Sequence, residues 1–183
     1  MSEDVLLAHC SPTLAGIKTG NLVSCSFETR EEVISDLRRW NRGLAKKGIR
    51  VIPLRFYTKK VLLYIYRPGK LGKDLQCKDA EQILKSCGYQ NSLENGCIAT
   101  LIRHLRENSE FPHEIGLFLS YPAEDVRGFI QNRGKDYKYS GPWKVYGDVE
   151  ARKKQFASYR ACTKAYCDAC ACGKTMMDLA VAL

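Results

Sequence analysis

The stretch IRVIPLRFYTKKVLLYIY, residues 49–66, decides the fold class. Two β-rich runs, 49–57 and 61–66, flank Thr58-Lys59-Lys60, the pattern of a β-hairpin. Pro53 has no N–H to give a ladder, so its strand is expected at a sheet edge or at a bulge. Upstream, residues 29–47 read as an amphipathic helix. Thr29 and Glu32 have capping-box spacing, Val33, Leu37, Trp40 and Leu44 fall on one face, and Gly48 closes it. That stripe needs an apolar partner, and the adjacent hairpin is the expected one.

Pro68-Gly69 breaks the pattern after the hairpin. Further helices are expected at about 78–87, closed by Gly88, and at about 92–107, with Leu93, Cys97, Leu101 and Leu105 aligned. His104 falls next to that stripe, where a packed or snorkelling histidine is expected. A short helix is expected within 122–134, started by Pro122 with Glu124 and Asp125 and ended before Gly134. SGPWKVYGD, 140–148, is a turn into a short strand, and a last helix starts near Asp148. The absence of regular β-α-β alternation makes this an α+β single domain, a small mostly antiparallel sheet packed with several helices. Neither phosphate-binding glycine motif is present.

The chain has 183 residues, 45% hydrophobic and 27% charged, as expected for a folded domain with a real core. No apolar run approaches the ~18 residues of a membrane span. MSEDVLLAHC opens with acids where a signal peptide carries bases, so the expected location is the cytosol. There, nine cysteines are buried hydrophobes, metal ligands or reactive thiols rather than a disulfide framework. The net charge of +9 raises nucleic acid as a partner, but the basic residues are spread along the chain and no nucleic-acid motif appears. A small-molecule ligand is favoured over nucleic acid, with no membrane partner. The composition selects no cofactor and no oligomeric state.

HCSPTLAGIKTGNL (9–22), FPHEIGLFLSYPAEDVRGFI (111–130) and GPWKVYGD (141–148) together resemble the bacterial family described as domain of unknown function 3793. The resemblance runs from about residue 5 to 160, so residues 161–183 read as a cysteine-rich helical extension. The family is found mostly in anaerobic, gut-type bacteria. The resemblance implies a single cytosolic domain and brings no activity, so it maps no catalytic residue.

The candidate residues come from the side chains themselves. His9, Cys10, Ser11, Lys18 and Asn21 crowd one short stretch read as a loop. A cysteine attacks as thiolate and needs a base or a cation nearby. His113 is the candidate base, Glu114 the acid to orient its ring, and Lys18 the charge to lower the thiol's pKa. One reading therefore joins 8–21 to 111–122 in a pocket for thiol chemistry at Cys10 on a small molecule. The competing readings are a buried structural cysteine, a metal held by His9, Cys10 and His113, and a non-enzymatic binding or regulatory module. Trp143 and Tyr146 are candidates for a stacking wall, with Lys144 to meet an anion. Cys162, Cys167, Cys170 and Cys172 look like ligands. On a continuous helix, however, Cys162 and Cys170 lie about 12 Å apart and only Cys167 and Cys170 share a face, so no metal is expected there.

Overall fold

The computed structural model describes residues 1–90, 93–107 and 110–183. In chain order, the first elements are α1 (Glu3–Leu14), β1 (Gly20–Ser26), α2 (Arg30–Leu44), a 3-10 turn (Ala45–Lys47), β2 (Arg50–Phe56) and β3 (Lys60–Tyr66). Then follow α3 (Pro68–Leu75), α4 (Lys78–Ser86), α5 (Glu94–Glu107), α6 (Ile115–Phe118) and α7 (Ala123–Gln131). The chain ends with β4 (Tyr139–Ser140), β5 (Lys144–Val145), α8 (Val149–Ala171) and α9 (Met176–Leu179). These elements make the α+β class expected from the hairpin. The chain divides into two compact units, residues 1–69 with 159–183, and residues 70–158.

In the first unit the hairpin forms as expected, and β1 adds to it in the order β1-β3-β2, antiparallel throughout. The central place of β3 explains its unbroken apolar run: Val61, Leu63 and Ile65 enter the core, while Tyr64 and Tyr66 stack on the other face at 4.7 Å. Pro53 lies on the edge strand β2 beside a register shift between Pro53 and Arg55, so both expectations for it hold. Asn41 of α2 covers that edge, donating to the Val51 carbonyl at 2.8 Å and accepting from its N–H at 2.9 Å.

Helix α2 starts at Thr29, whose hydroxyl accepts from Glu32 N at 3.2 Å. The Glu32 carboxylate accepts in turn from the Glu28 amide at 3.1 Å. Val33, Leu37, Trp40 and Leu44 are all buried in the core with the inward side chains of the sheet. Burial of each large apolar group stabilises by roughly 1.5–3 kcal/mol.

Two cations hold the C-terminal segment in this unit. Arg67, 2% exposed, donates to four carbonyls: Nε to Thr13 at 2.7 Å, Nη1 to Lys47 at 3.1 Å, and Nη2 to Leu14 and Val181 at 2.8 Å each. Thr13 and Leu14 end α1, where the helix dipole presents negative charge to the guanidinium. Lys47 Nζ donates to the Met177 and Ala180 carbonyls, and Met176 and Ala180 are buried in the core.

In the second unit α4 and α5 stand near the expected positions, with Gly88 at φ +85 closing α4. Residue 92, the expected start of the α5 helix, lies outside the described residues. Cys97, Leu101 and Leu105 are buried, whereas Leu93 precedes the helix and is 66% exposed. Pro68-Gly69 opens α3 instead of only breaking a strand, because proline is tolerated in a first helical turn. α7 packs on α4, and Arg127 pairs with Asp79 at 2.8 Å. β4 and β5 form the small hairpin that carries SGPWKVYGD.

Candidate functional site

Residues 9–14, expected in a loop, belong to helix α1. Ser2 caps it, Glu3 and Asp4 occupy its first turn, and Pro12 sits near its C-terminal end. Cys10 is fully buried on its apolar side with Leu6, Leu7 and Leu14. Burial pushes the Cys10 thiol well above its ordinary pKa, and the opposing pull of Lys18 is the smaller effect. The same burial brings Lys18 down to about 8. Its ammonium lies 5.7 Å from the Tyr159 ring centroid. His9 is exposed on the opposite side of α1, Ser11 bonds the Leu7 carbonyl within the helix, and Asn21 accepts from the Thr13 hydroxyl at 2.8 Å. These residues therefore serve helix and core rather than converging on one cleft.

The second unit holds a concave site. A cavity of about 320 Å³ is lined by His113, Tyr121, Phe129, Trp143 and Lys144 among others. Three residues singled out in the sequence thus come together: His113 from the segment before α6, and Trp143 and Lys144 from the β4–β5 hairpin. An adjoining concavity of about 760 Å³ shares Phe111, His113 and Phe129 and adds Glu110, Ile130 and Arg133.

Asp125 of α7 fixes the hairpin wall. It is 2% exposed; Oδ2 accepts from Trp143 Nε1 at 2.8 Å, and Oδ1 from the Tyr146 and Gly147 amides at 2.8 and 2.9 Å. Tyr121 stacks on Trp143 at 4.2 Å, and Phe156 meets it edge-to-face at 4.4 Å. Gly116 is required here, since a Cβ would come 2.8 Å from Val126 and 2.9 Å from Tyr121. Trp143 is therefore a locked wall rather than an open stacking face, and the Tyr146 hydroxyl donates outward to the Lys135 carbonyl. The accessible aromatic surface is Phe111, 45% exposed, with His113, whose ring lies 4.8 Å from that of Phe129.

Glu114 does orient a ring, but it is that of His104. The buried carboxylate contacts His104 Nδ1 at 2.8 Å and accepts from the Tyr89 hydroxyl at 3.2 Å. Burial and this acid together push the Tyr89 phenol up. Side-chain alternation explains the difference: Pro112 and Glu114 turn inward while His113 is exposed.

Residues overlooked in the sequence are Asp125, Phe129, Tyr121 and three backbone positions. Ser120 (φ +60), Arg133 (φ +51) and Asp136 (φ +55) are, among the described residues, the non-glycine positions in the left-handed region. Arg133 lines the adjoining concavity, Ser120 precedes Tyr121, and Asp136 precedes Tyr137, over which Lys144 sits. Backbone strain of this kind gathers at ligand clamps and active sites.

At the C-terminus α8 runs unbroken through Ala171, leaving Cys167 and Cys170 one turn apart and Cys172 exposed beyond the helix. Cys170 Sγ donates to Asp4 at 3.4 Å. Among the described residues no group of three or more His, Cys, Asp or Glu is arranged to hold a metal.

The family described as Protein of unknown function (DUF3793) matches residues 6–180. The chain belongs to the DUF3793 family. Comparison with curated proteins and with solved structures returned no match. The DUF3793 match runs well past residue 160, so the cysteine-rich end is part of the family segment and not an extension to it. The buried Met176 and Ala180 and the carbonyls held by Arg67 and Lys47 give the physical reason. In this DUF3793 chain no described helix is long and apolar enough to cross a membrane.

Proposed function

We propose that this protein is a small-molecule-binding module whose site is the cavity of the second unit. The observation that carries this reading is the convergence of His113, Phe129, Trp143 and Lys144 on one largely apolar hollow, of a size suited to a small ring system. The strained residues beside it and the saturated Asp125 brace give the site a preorganised wall. Thiol catalysis at Cys10 finds less support, because a thiolate is disfavoured in an apolar core. On this reading Cys10 is a packing residue, and nine cysteines without a disulfide suit the reducing cytosol, where we place the protein.

The two tryptophans make the test direct, since Trp143 lines the cavity and Trp40 is buried in the core of the first unit. Titration with 2-naphthoate and 2-naphthamide to millimolar concentration is followed at the two indole N–H resonances. Saturable movement of the Trp143 signal, with Trp40 unmoved, is the expected result. A Trp143 signal that stays still with both compounds overturns the proposal.

A further inference from the structure

We infer that the ligand of this cavity is a planar anion, a ring bearing a carboxylate or phosphate, and that Lys144 reads its charge; this rests on the cavity being a ligand site. Lys144 is half-buried at the cavity wall. Its ammonium donates to the Gly134 carbonyl at 2.5 Å and lies 4.7 Å from the Tyr137 ring centroid and 5.8 Å from that of Phe129. An ammonium has three donors, and a neutral carbonyl with two ring faces leaves its charge without a counter-ion. Among the described residues no carboxylate forms an ion pair with Lys144. The carboxylate that does line the cavity, Asp125, has both oxygens committed to the Trp143 indole and the Tyr146 and Gly147 amides.

The surroundings add to the same sign. Gly134, whose carbonyl seats Lys144, follows Arg133, and both lie in the left-handed region. That turn places a second cation, exposed Arg133, in the adjoining concavity, where Glu110 is the only acid among the lining residues. A ring against Phe129 and His113 with an acidic substituent toward Lys144 matches both the apolar and the charged parts of the wall. A neutral ligand of the same shape leaves the ammonium without a counter-ion.

Isothermal titration of the full-length protein with 2-naphthoate, 2-naphthyl phosphate and neutral 2-naphthamide tests this. At least one anion is expected to bind tenfold or more tighter than the amide, with affinity falling as salt rises. Which anion leads distinguishes carboxylate from phosphate, and a phosphate preference weakened by Arg133→Gln assigns that arginine to it. Lys144→Gln is expected to abolish the preference, with cooperative urea unfolding reporting that the variant is folded; Lys144→Arg is expected to keep most of it. Equal affinity for amide and anions, or a preference that survives Lys144→Gln, overturns the anion inference and leaves the site standing. Failure of all three compounds to bind overturns the site itself.

Discussion

The Trp143 indole and the Asp125 carboxylate, 18 positions apart, are joined by a buried 2.8 Å hydrogen bond. The same carboxylate takes two consecutive amides from Tyr146 and Gly147, so one side chain of α7 sets both the ring and the backbone of the hairpin. The hairpin's own ladder is only two residue pairs long, too short to hold that geometry alone.

Asp125→Ala is accordingly expected to cost about 3 kcal/mol, since each donor left buried without an acceptor costs roughly 1–3 kcal/mol and part of that set stays near solvent. Asp125→Asn keeps one acceptor and is expected to lose about half as much. Urea unfolding at unchanged slope measures both. A loss below about 1 kcal/mol for the alanine variant would show that the hairpin stands without this brace.

Glu114 separates His104 from His113. A double-mutant cycle between His104 and Glu114 is expected to give a coupling above about 1 kcal/mol, as for a buried hydrogen-bonded pair. The cycle between His113 and Glu114 is expected to be additive within about 0.5 kcal/mol. Coupling of His113 instead of His104 would restore Glu114 as the partner of His113.

What was legible in the sequence depended on periodic burial. The α2 stripe and its Thr29 cap could be read because one face meets the core and the other meets water. Pro53 announced an edge because a missing N–H has only a few tolerable places. Helix α1 was obscured by Pro12 and by buried Ser11 and Thr13, which blur the stripe although Leu6, Cys10 and Leu14 keep helical spacing. The sequence marked His113, Trp143 and Lys144 as chemically able but not as neighbours. Their meeting depends on Asp125 bonding amides some 20 positions on, and a carboxylate-to-amide bond leaves no residue pattern. Adjacency in the sequence points Glu114 to His113, whereas the inward turn of the chain, which leaves no residue pattern, gives it to His104.

Lys18 gives a pH dependence of determined sign. Its folded-state pKa of about 8 lies below its ordinary 10.5, so between these values the unfolded chain binds more protons and stability rises with pH. Wild type is therefore expected to gain on Lys18→Met as pH goes from 8 toward 10, by at most about 1.4 kcal/mol per pH unit. Cys10 acts oppositely above pH 9, but both proteins contain it, so the difference isolates the lysine. Urea midpoints for the pair at pH 7, 8, 9 and 10 measure the trend, and a constant difference would contradict it.

Arg67 gives the sharpest stability test because its four acceptors are all neutral carbonyls, from the end of α1, the 3-10 turn and the C-terminal segment. Lysine keeps the charge but has one nitrogen in place of a planar fork, so it cannot reach Thr13, Lys47, Leu14 and Val181 together. Arg67→Lys is expected to cost about 2–4 kcal/mol, in the range for breaking a buried charged network. Arg38→Lys, an exposed change on α2, is expected to stay within about 0.5 kcal/mol. The loss should also be local. The Val181 amide donates to the Leu14 carbonyl at 3.0 Å, beside the Arg67 contacts, and with Arg67 gone its hydrogen exchange should accelerate more than that of the β3 amides. Uniform acceleration across the first unit would instead mean that Arg67 supports the whole core and does not act as a clasp on the C-terminal segment.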